Sequence, residues 1–172
     1  MRAVLILLTA ILAGCTGKPE GVDPVRGFEV ERYLGRWHEI ARLDHSFERG
    51  LTDVTAVYTL RGDGGLDVVN RGFDAAKQEW REAKGRAYFL GDTSVASLKV
   101  TFFWPFYGGY HVIALDQAHY RYALVAGPSR DYLWILAREK ALPEAVMKKL
   151  LDVAQANGFD VKALIRVTHR PY

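Results

Sequence analysis

Few side chains in this sequence could do chemistry, and their spacing argues against catalysis. Cys15 is the only thiol among 172 residues, so no disulfide can form within the chain. The five histidines, His38, His45, His111, His119 and His169, are scattered with neither HxxxH nor HExxH spacing, so only a cluster formed in space could bind a metal and none is expected. Ser46, Ser94, Ser97 and Ser129 lie in no Gly-x-Ser-x-Gly elbow. His38 and Glu39 are adjacent, and neighbours on a strand face opposite sides, so they cannot work as a pair. Arg42, Arg49 and Arg71 could meet a phosphate or carboxylate bidentately. The plainer reading makes each a solvated surface arginine. No catalytic residue, metal or cofactor is assigned, and what is left is binding by shape and apolar area.

The elements around these residues explain more. The leader has Arg2 as its only charge, then an apolar run, then small residues before Cys15. That is the order of an export signal. It is too short for a spanning helix, which needs about 20 apolar residues. Leu12-Ala13-Gly14-Cys15 resembles the lipobox of bacterial lipoproteins. The resemblance implies cleavage before Cys15, a diacylglycerol on its sulfur and an acyl chain on its new amino group. The alternative is an ordinary signal peptidase and an incidental thiol. Two or three acyl chains would anchor firmly where one is marginal. Thr16, where an inner-membrane lipoprotein often has Asp, points to the outer membrane. Residues 1–14 are then the leader, residues 15–26 a lipidated tether rich in Gly, Pro and charge, and residues 27–172 the folded domain.

The charge balance, 23 basic against 20 acidic residues, calls for no nucleic acid. Eight short segments rich in Val, Ile, Thr, Tyr, Phe and Trp follow, separated by turn residues. They cover residues 37–43, 53–60, 66–73, 80–90, 97–103, 110–115, 120–126 and 132–137. Gly62-Asp63-Gly64-Gly65 supplies a hairpin turn. The period then lengthens, and residues 143–157 predict one helix with Val146, Leu150, Val153 and Ala154 on one face. A last extended segment spans residues 163–168. This order predicts an all-β, eight-stranded antiparallel up-and-down barrel, with one C-terminal helix outside and a short final strand.

Alternation picks the inner face. Val54, Ala56, Tyr58 and Leu60 share one side, as do Leu98, Val100 and Phe102. Ala83, Gly85, Ala87 and Phe89 are set against Arg81, Glu82, Lys84 and Arg86. The small residues Ala56, Ala83, Gly85 and Ala87 leave room where a filled core would carry Leu or Ile. Tyr58, Phe89, Phe102, Tyr110, Val112 and Trp134 are the candidate pocket lining, against the plain alternative of core filling. His111, between Tyr110 and Val112, points outward. Phe103, Trp104, Phe106 and Tyr107 form an aromatic rim, either a lip that touches lipid or a packed corner.

Three motifs carry a resemblance. Gly35-Arg36-Trp37 looks like the first lipocalin motif, Leu115-Asp116 with Tyr120 like the second, and Arg138 like the lone arginine of the third. Phe47-Glu48-Arg49-Gly50-Leu51, residues 105–110 and residues 130–136 resemble the bacterial lipocalins of the Blc type, kin to apolipoprotein D. His38 stands where that group usually has Tyr, and Leu115 where it has Thr. The resemblance implies that Trp37 plugs the closed end, with Arg138 across its ring and Gly35 allowing the turn into the first strand. It also implies carriage of a fatty acid or lysophospholipid in the cell envelope, with storage, transport or repair of membrane under stress. Another hydrophobic ligand such as a porphyrin, and a scaffold without cargo, remain the alternatives. Haem would want an inward His or Met. The membrane is the expected partner through Cys15, and a homodimer is left open.

Overall fold

The computed structural model describes residues 16–171, so the leader and Cys15 lie outside the described residues. Eight strands run antiparallel in chain order: β1 (Gly35–Arg42), β2 (Leu51–Leu60), β3 (Leu66–Asp74), β4 (Glu79–Phe89), β5 (Ser97–Phe103), β6 (Phe106–Leu115), β7 (Tyr122–Ala126) and β8 (Leu133–Ala137). β1 pairs with β8 on one edge and with β2 on the other, which closes the sheet into a barrel. Closure removes the exposed edges that an open sheet would offer to other chains. A short helix α1 (Val30–Tyr33) precedes β1, and α2 (Glu144–Ala156), a 3₁₀ turn and β9 (Ile165–Arg166) follow β8. β1 divides one edge between two partners, with residues 35–38 on β2 and Ala41 and Arg42 on β9.

The core is in two layers because alternate residues face opposite sides of the wall. Inside, Trp37, Tyr58, Leu66, Val68, Leu98, Val112 and Val125 pack together with Phe28 and Tyr33. Outside, Ile40, Leu124, Leu133 and Ile135 pack under α2 through Met147, Leu150 and Ala154. The helical period picks out Leu150 and Ala154, whereas Met147 completes the buried face. Gly158, at φ +81°, ends the helix in a conformation that glycine adopts freely.

Two expectations change. The corner expected over residues 104–109 is instead a tight hairpin about a cis Trp104–Pro105 bond, with Phe103 paired to Phe106. The ladder thus resumes four residues earlier than the apolar pattern predicts. Residues 16–26 also do not stand free. Val22 is fully buried in the outer core, the Val25 N–H donates to the Val112 carbonyl at 2.8 Å, and the Ala96 N–H donates to the Val25 carbonyl at 2.9 Å. The polar composition of this stretch masks two valines spaced to reach the wall.

Candidate ligand-binding site

Strand order sorts the loops. Antiparallel neighbours put the β1–β2, β3–β4, β5–β6 and β7–β8 connections at one end of the barrel and the others at the opposite end. At the second end Trp37 is fully buried, and its Nε1–H donates to the Tyr33 carbonyl at 2.8 Å. The Arg138 guanidinium lies 3.9 Å from the Trp37 ring centroid, and it donates to the carbonyls of Arg32, Arg36 and Tyr120. Gly35, at φ +89°, turns the chain into β1 directly against Arg138. The geometry the motifs imply is thus present at the closed end. Phe28, Tyr33 and Tyr120 pack with it.

Above this floor is a cavity of about 650 Å³, within the range of small-molecule sites. Tyr58, Phe102, Tyr110 and Trp134 line it, together with Leu66, Val68, Leu98, Val100 and Leu136. Phe89 and Val112, also expected in the lining, are not among its lining residues. Both pack lower in the barrel, Val112 fully buried and Phe89 against Phe28 at 6.2 Å between rings. Alternation finds the inner face but not the height along the axis, and height decides who meets the cavity.

The small residues divide the same way. Ala56, Ala83 and Ala87 open onto the cavity. Gly85 does not: a Cβ there would meet the Thr101 carbonyl at 2.6 Å and the Phe102 ring at 2.7 Å, so the glycine makes room for a close neighbour, not for ligand. Arg81, expected on the charged outer side, shares the parity of Ala83 and pairs with Gly72 on the inner face near the rim.

Polar groups enter the cavity at two levels. Near the floor, the Tyr110 hydroxyl joins those of Tyr33 at 2.7 Å and Tyr58 at 2.9 Å. Burial pushes all three phenols up, so they remain neutral donors. Near the rim, Glu39 and Glu48 face the cavity. The Trp134 Nε1–H donates to Glu48 at 3.0 Å, and Arg42 donates to Glu39 at 2.8 Å. A register shift between Glu39 and Ala41 brings Arg42 onto the face of Glu39, which strict alternation forbids. Burial pushes the Glu39 carboxyl up to about 8, helped by the nearby Glu48 charge and opposed by Arg42. Burial also raises Glu48, while the Trp134 N–H and Arg42 pull it down. His45, 3.1 Å from Glu48, is pushed down to about 4 by burial and then by Arg42, so it is neutral near pH 7.

The three arginines are all engaged. Arg42 is buried, not a surface residue, and spends its guanidinium on Glu39 and the Glu48 carbonyl. Arg49 pairs with Asp44, and Arg71 stacks over the Trp80 ring at 4.1 Å. Glu39 and Glu48 are the polar residues that pattern reading missed. Glu39 shares parity with Trp37, which is a usable signal, whereas Glu48 comes from a loop that has none. His111 does turn outward, towards residues 16–18. Among the described residues no group of three or more His, Cys, Asp or Glu could hold a metal.

A lipocalin-like domain model matches residues 28–169. The outer membrane lipoprotein Blc of Vibrio cholerae is 51% identical over 168 residues, covering 97% of this chain and 98% of that protein. The protein of the same name from Escherichia coli K12 is 55% identical over 149 residues, covering 87% of this chain and 84% of that one. Among solved structures, the cockroach allergen Per a 4 superposes with a TM-score of 0.70 at 18% identity, over 89% of this chain and 96% of its own.

Proposed function

Because the chain belongs to the lipocalin-like family, we propose that it is a membrane-anchored carrier of single-chain lipids, fatty acids or lysophospholipids, in the Gram-negative envelope. The observation that carries this reading is the cavity, a largely apolar cup of about 650 Å³ with Glu39 and Glu48 near the rim, tyrosine hydroxyls at the floor and Asn70 on the wall between them. An acyl chain gains most of its affinity from apolar area buried in such a largely preformed site. Tyr58, Phe102, Tyr110 and Trp134 would hold the chain, and Glu39 and Glu48 would meet its polar end. The described lining has no His or Met, the residues haem would want, which favours lipid over a porphyrin.

The anchor is the acylated Cys15. The Blc relatives are named outer membrane lipoproteins, and their similarity, together with the lipobox and Thr16, supports the outer membrane as the site of action. Lipid storage or transport for membrane maintenance under stress is the role that suits a cup held beside its cargo.

Native mass spectrometry of the detergent-solubilised protein tests the reading, with lysophosphatidylethanolamine and oleate as probes. The expected result is a saturable one-to-one adduct, lost in Trp134→Asp and Phe102→Asp variants that remain folded by circular dichroism. No adduct with either lipid from folded protein would sink lipid carriage.

A further inference from the structure

A second hollow, of about 430 Å³, lies on the outer face of β1, β2, β3 and β4. Strand pairing sets its side chains in rows that cross the wall. His38 stands opposite Thr55, Thr55 opposite Arg71, and Arg71 opposite Glu82. Two residues along β1, Arg36 stands opposite Val57, and Val57 opposite Val69. Residues opposite one another in a ladder share one face of the sheet. An imidazole, a hydroxyl and two guanidiniums are thereby set around an apolar floor of Val57 and Val69. Residues 169–171 form the remaining side. His169 Nε2 donates to the Glu39 carbonyl at 2.7 Å, and the Arg170 N–H and Nε–H donate to the two oxygens of Asp53, each at 2.8 Å. Lys140 Nζ donates to the Arg170 carbonyl at 2.9 Å. These bonds fix that side without using Arg36 or Arg71.

The charges in this hollow do not balance. Its two carboxylates are occupied, Asp53 by Arg170 at 2.8 Å and Glu82 by Lys84 at 3.5 Å. Among the described residues Arg36 and Arg71 pair with no carboxylate, and the Thr55 hydroxyl has no hydrogen-bond partner. Arg71 lies over the Trp80 ring at 4.1 Å, and a guanidinium stacked by its face keeps its N–H edge for an anion. His38 is only 7% exposed, and its Nδ1 is buried without a hydrogen-bond partner. Burial, then His169, Arg36 and Lys140, hold the His38 imidazole below its usual pKa, against a weaker pull from Glu139. The surroundings are thus short of negative charge. A metal cation would be repelled by the arginines. A carboxylate has two oxygens for donors that come from three strands, whereas a phosphate monoester presents three, and arginine matches phosphate in pairs of hydrogen bonds.

We propose that this outer hollow is a binding site for a phosphate monoester, with Arg36, Arg71 and the Thr55 hydroxyl holding its oxygens beside His38. Val57 and Val69 give the organic part of the ester an apolar bed. The site lies on the opposite side of the barrel wall from the cavity, and it does not depend on the lipid-carrier reading. The same phosphate chemistry is available from a soluble ester and from a membrane lipid that ends in phosphate.

The test uses the full lipidated protein in phosphatidylcholine nanodiscs, with the histidine imidazoles followed by NMR at pH 7.5 while glycerol 3-phosphate is added. The expected result is a saturable shift of His38 and His169 that matched sodium chloride does not reproduce. Affinity is expected to fall by at least about tenfold in an Arg36→Gln, Arg71→Gln double variant. Both arginines are exposed, and unchanged His45 and His111 signals report that the variant keeps its fold. Nanodiscs containing phosphatidic acid separate the two sources. The same shifts there without added solute support the site and place the phosphate on a lipid, whereas shifts with glycerol 3-phosphate alone support it and place the phosphate on a soluble ester. Shifts that chloride reproduces, shifts undiminished in the double variant, or no shift with either probe overturn the site.

Discussion

Glu39 is where a single side chain bears most on behaviour. Its carboxyl is buried in the cavity wall beside Glu48, and its proton is held up to about 8 against an ordinary 4.5. Between those values the unfolded chain releases the proton and the folded chain keeps it. The folded state thus binds more protons there, and the Glu39 contribution to stability falls as pH rises through this window. Thermal unfolding followed from pH 5 to pH 8 is expected to show that decline, and Glu39→Gln to flatten it. A slope unchanged in the variant would assign the pH dependence elsewhere. With the Glu39 proton kept, Arg42 still donates to Glu39, and its positive charge pulls the Glu48 carboxyl down against the effect of burial.

At the level of elements, the wall segment 16–26 and strand β6 depend on each other. Val25 uses the Val112 carbonyl, His111 holds Gly17, and Gly109 gives the segment space. Gly109→Val puts a side chain into the Gly17 carbonyl, and the segment rather than the strand is the part able to yield. Hydrogen exchange at the Val25 and Val22 amides is expected to accelerate in that variant, while amides of β7 and β8 keep their protection. Equal acceleration throughout would mean that the segment is integral to barrel stability. The helix α2 shares the outer core with this segment, because Met147, Leu150 and Ala154 pack in one cluster with Val22, and Arg130 donates to the carbonyls of both Glu20 and Asn157.

The molecule as a whole is a cup that is more stable when filled. A ligand that binds only the folded state adds about 2.7 kcal/mol at one hundred times its Kd. For a domain of this size each kcal/mol raises Tm by about 2–4 °C, so saturating lysophospholipid is expected to raise Tm by about 5–10 °C. Calorimetry with and without lysophosphatidylethanolamine measures this. A lipid that leaves Tm unchanged at saturating concentration is not cargo of the folded cavity. Phe102→Asp is expected to abolish the shift with little change in the Tm of the unfilled protein, because Phe102 is partly exposed near the rim.

The barrel was legible in the order of its segments, because period-two alternation and turn residues act locally: eight strands and the outside helix follow from spacing, whereas the closing trio Gly35, Trp37 and Arg138 came from the family resemblance of the motifs. The face of most cavity residues was legible for the same reason, and Tyr58, Phe102, Tyr110 and Trp134 do line it. Three things belonged to tertiary structure alone. The height of Phe89 and Val112 in the barrel depends on strand tilt and register, which no single strand encodes. The inward turn of Arg42 depends on an irregularity in pairing between β1 and β8. The seat of residues 16–26 depends on Gly109 and His111, about ninety residues away in sequence, and contacts at that separation exist only once the segment has folded back onto β6.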